Sequence, residues 1–229
     1  MYQSLKQAVY KANLEVKEAG LVLFTWGNVS ARDASLQVIA IKPSGVPYES
    51  MKADDIVIVD YDGTVIEGTL RPSVDLPTHL EIYKRHPEIN AIVHTHSTYA
   101  TAWAQKGRAI RVYGTTHADY FADEIPCAGY LRPSQMDEYE KNTGILISET
   151  IKRGKANELP AAIVKGHGAF TWGNSLADAV YHAIVLEQVA KLAFLTETLP
   201  GWSPQLPEHI KKTHYLRKHG PKASYGQKK

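Results

Sequence analysis

The sequence has a single cysteine, Cys127, and lacks a long uninterrupted apolar run. One cysteine excludes an internal disulfide and a cysteine-based zinc cluster, and it is typical of a protein kept in a reducing compartment. Charged and polar residues interrupt the longest apolar stretch, residues 176–195, which argues against a membrane span. The first twenty residues scatter charges through apolar positions, unlike a signal peptide. We therefore expect a cytoplasmic protein that does not bind membranes.

The sequence also lacks an excess of charge of one sign, because 26 Lys and Arg residues face 24 Asp and Glu residues. A balance this even argues against a nucleic-acid partner. The charge is nevertheless uneven along the chain: residues 208–229 hold seven basic residues and one acidic residue. This basic tail is either a solvated segment or an element that binds a small phosphorylated ligand.

The length of 229 residues suits one domain, residues 1–229, with 44% hydrophobic and 22% charged residues as in ordinary globular proteins. Apolar residues at helical spacing predict an N-terminal helix that stops at Gly20. Strands are predicted at Leu21–Thr25, Val38–Ile41, Ile56–Asp60, Thr64–Glu67, Ala91–Val93, Ala161–Val164 and Ala169–Trp172, and helices at Thr78–Arg85, Thr98–Gln105, Ser134–Arg153 and from Ser175 onward. The pattern predicts an α/β domain whose sheet is mixed or largely antiparallel and is flanked by helices.

Three histidines carry the clearest chemical signal. His94 and His96 follow an apolar strand run, and residues two apart in a strand point to the same face, so both imidazoles can reach one metal ion. His167 lies between two glycines, where a tight backbone lets a side chain enter a crowded site. Asp75, just before a predicted helix, is either a fourth ligand or the N-cap of that helix, and His79 competes for the same helical face. Alone, none of these signals is decisive.

Two glycine-containing turns, residues 25–30 and 41–46, have the composition of an anion site. Backbone N–H groups in such turns, together with the Ser44 hydroxyl and the Lys42 ammonium, would hold a phosphate. Ordinary turn chemistry is the alternative for either segment taken singly. Residues 114–121 and 214–227 add hydroxyls, imidazoles, cations and phenols that are able to move protons, although a surface tail is the simpler interpretation of the second segment.

These segments occur together and in order: TWGNVS, IKPSGV, RPSVDLPTH, IVHTHS, GTTHADYF, GHGAFTWG, HYLRKHG and YGQ. As a set they closely resemble the class II aldolase/adducin family over residues 5–227. GTTHADYF and YGQ point to its sugar-phosphate epimerase branch, the L-ribulose-5-phosphate 4-epimerases. The resemblance implies a three-layer α/β/α fold and a homo-oligomer, a four-fold symmetric (C4) tetramer with active sites at subunit interfaces.

The resemblance also implies roles for individual residues. The metal ligands would be Asp75, His94, His96 and His167, with Zn²⁺ the usual ion and Mn²⁺ or another divalent ion an alternative. The groups that hold a substrate phosphate would be Asn28, Lys42, Ser44, Gly45 and Ser73. The acid/base pair would be Asp119 and Tyr225, and the surrounding pocket would include Thr115, Glu140, His214 and Arg217. The basic tail, residues 208–229, would then contribute to the active site.

The implied activity is the metal-dependent conversion of L-ribulose 5-phosphate, a small phosphosugar, to D-xylulose 5-phosphate in pentose catabolism. The carbon-4 centre would invert by retro-aldol cleavage and re-addition. A ketose-phosphate aldolase of the fuculose- or rhamnulose-phosphate type is the alternative. A non-catalytic adducin-like module should have lost metal histidines, whereas His94, His96 and His167 are all present. Val74 departs from the pattern, because many members carry a serine there.

Overall fold

A computed structural model of the protein describes residues 2–151 and 155–224. The described part holds eight strands, namely β1 Asn28–Asp33, β2 Val38–Ile41, β3 Val57–Val59, β4 Val65–Glu67, β5 Ala91–Thr95, β6 Cys127–Ala128, β7 Ala161–Val164 and β8 Ala169–Gly173. It also holds seven α-helices, namely α1 Gln3–Glu18, α2 Leu76–Arg85, α3 Thr98–Lys106, α4 Thr115–Ala118, α5 Tyr139–Thr150, α6 Leu176–Thr198 and α7 Glu208–His219. Short 3₁₀ helices occupy Ala53–Asp55 and Pro133–Glu138.

The eight strands form one sheet in the order β4-β3-β2-β1-β5-β8-β7-β6. Within the described chain, β6 and β7 pair in parallel and the other neighbouring strands pair antiparallel. Gly63, at φ +88°, lies in the Asp-Gly turn between β3 and β4, where a positive φ favours glycine. The prediction of a mixed, largely antiparallel sheet is confirmed.

Helices cover both faces of the sheet, which explains why short strands such as β2 are buried on both sides. Val38 and Ala40 belong to a core with residues of α1 and α6, whereas Ile39 and Ile41 belong to a core with residues of α2 and α5. Residues of α3 and α6 form a third cluster with β7 and β8. The α/β/α layering implied by the resemblance is confirmed.

Helix α6 is long and apolar enough to cross a membrane if length and composition alone are considered. The core helix of a folded protein meets the same criterion, and residues along α6, such as Val180, Leu186 and Ala190, are buried against the rest of the domain. Glu187 also lies on this helix and accepts the backbone N–H groups of Tyr99 and Ala100, at 2.8 and 3.0 Å, at the start of α3. These contacts make α6 a packing element of the core.

The predicted strand Leu21–Thr25 is wrong. Leu23 and Phe24 are 59% and 71% exposed, and Phe24 has φ +54°, which a strand does not contain. The strand begins instead at Asn28, after the turn that contains Gly27. This strand contains buried polar residues, so a hydrophobicity pattern does not reveal it. Its backbone is paired with a side chain of α1: the Asn13 amide oxygen accepts the Val29 N–H at 3.0 Å, and the Asn13 amide nitrogen donates to the carbonyl oxygen of Val29.

Helix α5 and the basic tail differ most from the prediction. The predicted helix Ser134–Arg153 starts as the 3₁₀ helix at Pro133–Glu138, continues as α5 only from Tyr139, and ends at Thr150. Residues 152–154 lie outside the described residues. The basic tail contains α7, which the sequence did not predict because the helix has no apolar stripe, and none of its described residues is buried.

The burial of His117 predicts a loss of stability in acid. Burial lowers its pKa to about 4, while its Nε2 contacts the carbonyl oxygen of Asp123 at 3.0 Å. Between about pH 6.5 and pH 4 the unfolded chain therefore binds more protons than the folded chain, so the free energy of unfolding falls as the pH falls. This residue should account for a decrease of up to about 3 kcal/mol. Urea unfolding of wild type and His117→Gln across this range measures it.

The Gln variant keeps an amide N–H near the position of the imidazole Nε2–H but does not titrate. The variant should therefore show a flatter dependence of unfolding free energy on pH than wild type. An equal slope in both proteins would contradict the assignment.

Candidate active site

The three histidines meet where β5 ends beside the turn between β7 and β8. Antiparallel pairing places His94 opposite Phe170 and Thr95 opposite Ala169, which brings His94 and His96 next to His167 in that turn. The ligand nitrogens of the three histidines all lie within 4.8 Å of one another. The Nε2 atoms of His94 and His96 are 3.2 Å apart. We call His94, His96 and His167 the histidine cluster.

The chemistry of the histidine cluster fits a divalent metal ion. His94 Nδ1 donates to the carbonyl oxygen of Ala169 at 3.0 Å, so its Nε2 is unprotonated in the neutral ring and has a lone pair that can bind a metal ion. Phe170 stacks on the same ring, 4.2 Å between centroids, and fixes its orientation. Burial and the neighbouring imidazoles lower the pKa of His167 to about 4, so this ring is a neutral donor at neutral pH. Its buried Nδ1 has no hydrogen-bond partner within the described residues.

Asp75 lies at the same cavity but outside the histidine cluster. It occupies the N-cap position of α2 without making the side-chain capping bond, and its Oδ2 instead accepts from Asn28 Nδ2 at 2.7 Å. Burial alone would raise the pKa of Asp75, but interactions with His94 and other imidazoles and the Asn28 hydrogen bond hold it below its usual value. An ionised carboxylate is suited to metal binding, and its role as a fourth ligand stays a prediction.

His79, the competing histidine, is fully buried behind the site. Its Nδ1 pairs with the Ser30 hydroxyl at 2.7 Å, and the same hydroxyl pairs with the Tyr83 hydroxyl at 2.8 Å. Burial lowers the pKa of His79 to about 3, so it adds no positive charge beside the histidine cluster at neutral pH.

A cavity of about 580 Å³ joins the histidine cluster to the predicted phosphate-binding residues. All five of these residues line it, namely Asn28, Lys42, Ser44, Gly45 and Ser73, and we call them the phosphate cradle. Glu140, which was predicted for the surrounding pocket, lines the same cavity. The predicted anion-binding turns also contribute Thr25, Trp26, Gly27 and Pro43 to its lining, and Val74 lies there too. Tyr139 lines the same cavity, and no sequence pattern predicted a role for it.

Lys42 supports the two turns of the phosphate cradle. Its buried ammonium donates to the carbonyl oxygens of Val46 at 2.8 Å and Thr25 at 3.5 Å, so it ties the turn after β2 to the turn before β1. Burial lowers the pKa of Lys42 to about 8. The residue therefore brings positive charge to the cradle at neutral pH and also fixes its shape.

A family model for the Class II Aldolase and Adducin N-terminal domain matches residues 7–194. The chain belongs to this family. A solved L-fuculose 1-phosphate aldolase is 26% identical, with 93% of this chain and 95% of that chain covered and a TM-score of 0.82. An L-fuculose 1-phosphate aldolase from Glaciozyma antarctica PI12 is 24% identical over 96% and 84%, with a TM-score of 0.76. YgbL from Escherichia coli, a candidate aldolase/epimerase/decarboxylase, is 23% identical over 92% and 97%, with a TM-score of 0.76.

Membership in the class II aldolase family supports an enzyme that uses a divalent metal ion, and the histidine cluster supplies a group able to hold one. Both the family match and the structural similarity extend across the elements that form the cavity.

Two of the remaining predicted residues, His214 and Arg217 of α7, contact Asp119, which directly follows α4. Arg217 donates to both carboxylate oxygens, at 3.1 and 2.9 Å, and His214 Nδ1 contacts Oδ1 at 3.0 Å. Thr115 is exposed at the start of α4. Among the described residues, none of these four lines the cavity of the histidine cluster. Tyr225, the other half of the predicted acid/base pair, lies outside the described residues.

Proposed function

We propose that the protein is a metal-dependent L-ribulose-5-phosphate 4-epimerase, which forms D-xylulose 5-phosphate by retro-aldol cleavage and re-addition. The observation that carries the proposal is the cavity that joins the histidine cluster to the phosphate cradle in one chain. A ligand with a phosphate at one end and a carbonyl nearby matches these two groups. The alternative substrates of the family share this chemistry, so the choice of epimerisation rests on the sequence segments around Asp119 and Tyr225.

Carbon 4 of L-ribulose 5-phosphate is one carbon too far from the ketone for direct deprotonation, so removal of the 4-hydroxyl proton and cleavage between carbons 3 and 4 is the easier route. A divalent ion held by the histidine cluster, with Asp75 as the proposed fourth ligand, would supply Lewis acidity at the substrate oxygens. The phosphate cradle holds the aldehyde fragment, which carries the phosphate. Retention of both fragments keeps their effective concentration high, so re-addition outpaces release.

Inversion at carbon 4 requires a proton-transfer group on each side of the aldehyde, and we assign these roles to Asp119 and Tyr225. Arg217 and His214 orient the Asp119 carboxylate. Because Asp119 does not line the cavity of its own chain within the described structure, we propose that it enters the cavity of a neighbouring copy. The resemblance to the family implies that this assembly is a homotetramer with four-fold symmetry.

An aldolase that releases its fragments is the second candidate. It is favoured by the similarity to a solved L-fuculose 1-phosphate aldolase, with a TM-score of 0.82 and nearly complete coverage of both chains. A non-catalytic module is disfavoured, because it has no use for three converging histidines and a neutral, orphaned imidazole nitrogen.

The deciding experiment is an assay of D-xylulose 5-phosphate formation from L-ribulose 5-phosphate, run with Zn²⁺, with Mn²⁺ and with a chelator. Metal-dependent conversion supports the epimerase. The parallel assay offers L-fuculose 1-phosphate and measures dihydroxyacetone phosphate. If the metal-loaded protein cleaves L-fuculose 1-phosphate but leaves L-ribulose 5-phosphate unchanged, the protein is an aldolase and the epimerase proposal is wrong.

A site shared between copies predicts complementation between two inactive variants. His96→Asn removes a group from the cavity, whereas Asp119→Asn removes the group proposed to come from the neighbour. Equal amounts of the two, unfolded and refolded together, should recover about a quarter of the wild-type activity, since random assembly leaves that share of sites intact. The measurement is turnover of the mixture against each variant refolded alone. Recovery no greater than the sum of the two would contradict a shared site.

A further inference from the structure

Tyr139 lines the active-site cavity although no sequence motif assigned it a role. It is the first residue of α5, and its ring lies beside His167, with 6.2 Å between ring centroids and a tilt of 43° between planes. The side chain is only partly buried, as is usual for a group that forms part of a cavity wall. The same cavity is lined by Asp75. Tyr139 therefore lies on the side of the cavity where the histidine cluster would receive a ligand.

The start of α5 is held firmly in this place by helix α2. Gly144 lets the two helices approach closely: a Cβ atom at this position would lie 2.6 Å from the carbonyl oxygen of Thr78 and 2.8 Å from Cβ of Glu81. The Thr78 hydroxyl donates to the Glu140 carbonyl oxygen at 2.6 Å. Since α2 begins directly after Asp75, the same helix positions Asp75 and fixes the segment that carries Tyr139.

The phenol differs chemically from the other groups near the histidine cluster. The imidazoles and the Asp75 carboxylate are suited to binding a metal ion, whereas a phenol hydroxyl is a neutral hydrogen-bond donor. A phenol has an ordinary pKa of about 10, so the group keeps its proton at neutral pH. A sugar bound between the phosphate cradle and the histidine cluster presents carbonyl and hydroxyl oxygens, which are acceptors for such a donor.

We propose that the Tyr139 hydroxyl contacts the substrate directly, donating a hydrogen bond to a carbonyl or hydroxyl oxygen of the sugar chain near the histidine cluster. This contact orients the carbons whose bond breaks, and it supplements the phosphate cradle, which holds the far end of the ligand. The inference rests on the proposed function in taking a sugar phosphate as the ligand.

The test compares Tyr139→Phe with Tyr10→Phe in the full-length, metal-loaded protein. Tyr10 is a partly buried tyrosine of α1 that does not line the cavity, so its variant controls for the loss of any phenol oxygen. Removing a hydrogen bond to the reacting end of the substrate should lower kcat/KM by about 10- to 100-fold. Thermal melting and metal content measured by mass spectrometry should stay at wild-type values in both variants.

A binding measurement separates substrate contact from a role in holding the site together. Calorimetric titration with an equilibrated mixture of L-ribulose 5-phosphate and D-xylulose 5-phosphate has no net turnover, and the affinity should fall in Tyr139→Phe alone. Titration with inorganic phosphate reports on the phosphate cradle and should not change. Equal sugar-phosphate affinity and equal kcat/KM in Tyr139→Phe and wild type would overturn the inference. They would not contradict the proposed epimerase activity.

Two other outcomes are decisive in different ways. Loss of metal or of phosphate binding in Tyr139→Phe would show that the phenol maintains the site rather than touching the sugar, which overturns the inference. Wild-type protein that neither converts nor binds the pentulose phosphates would overturn the proposed function itself, together with the ligand assigned to Tyr139.

Discussion

Replacing His96 with Asn should remove the bound metal ion and lower kcat/KM by at least about 100-fold. His96 follows the end of β5, and its Nε2 lies 3.2 Å from that of His94. An amide in its place is shorter and offers a much weaker donor to a divalent ion, while His94 and His167 alone form an incomplete site. Metal content after dialysis, measured by mass spectrometry, and turnover at saturating substrate check the prediction.

The matched control for this variant is His209→Asn. His209 is an exposed histidine of α7 and does not line the cavity. The same change of side chain there should leave both metal content and kcat/KM within about two-fold of wild type. If His96→Asn kept a full complement of metal and full turnover, the histidine cluster would not be the metal site.

The histidine cluster could be predicted because its signals are local. The two-residue spacing of His94 and His96 at the end of a strand predicts a shared face, and the glycines around His167 predict a tight turn. Their convergence with one another depends on the pairing of β5 with β8, which brings Ala169 opposite Thr95. Spacing alone does not specify that pairing, and only the resemblance to the family grouped the three histidines in advance.

The first strand shows where a hydrophobicity pattern fails. Residues 21–25 are more apolar than residues 28–33, yet Phe24 adopts a left-handed backbone conformation and its side chain is exposed. The strand that joins the sheet is Asn28–Asp33 instead. Hydrogen bonds stabilise it there, because the Asn13 side chain accepts the Val29 N–H and the Asn28 side chain donates to Asp75. Buried hydrogen bonds to distant residues thus determined this strand, and a local pattern contains no information about them.

Tyr139 and Asp119 show the same limit for the site. Tyr139 reaches the cavity because Gly144 packs against Thr78, a contact between residues 66 positions apart in the sequence. Asp119 was assigned by resemblance, but α4 and α7 hold it at a different place from the histidine cluster. A motif names the residues of a site without saying whether one chain brings them together.

Substitution of Gly168 by Ala should disrupt the histidine cluster through the backbone that supports it. A Cβ atom at this position would lie 2.6 Å from the carbonyl oxygen of Thr95 and 2.9 Å from Cδ2 of His96. Distances this short cannot be kept, so β5 and the turn that carries His167 must move apart. The metal affinity should fall by about 10- to 100-fold, as when supporting contacts around metal ligands are lost. The free energy of unfolding should fall by about 1–3 kcal/mol, as is typical of overpacking.

Gly129→Ala is the matched control, because within the described structure a Cβ atom at Gly129 has no heavy atom within 4 Å and the residue does not have a positive φ. Chelator competition measures the metal affinity of both variants, and urea unfolding of the metal-free proteins measures their stability. The two measurements separate two effects of the same methyl group. Urea unfolding reports the loss of stability caused by strain in the metal-free protein, and chelator competition reports the loss of metal affinity caused by displacement of His96. Wild-type metal affinity in Gly168→Ala, whatever its stability, would mean that the imidazole positions tolerate movement of the β7–β8 turn, and that the close approach of Gly168 to β5 serves packing alone.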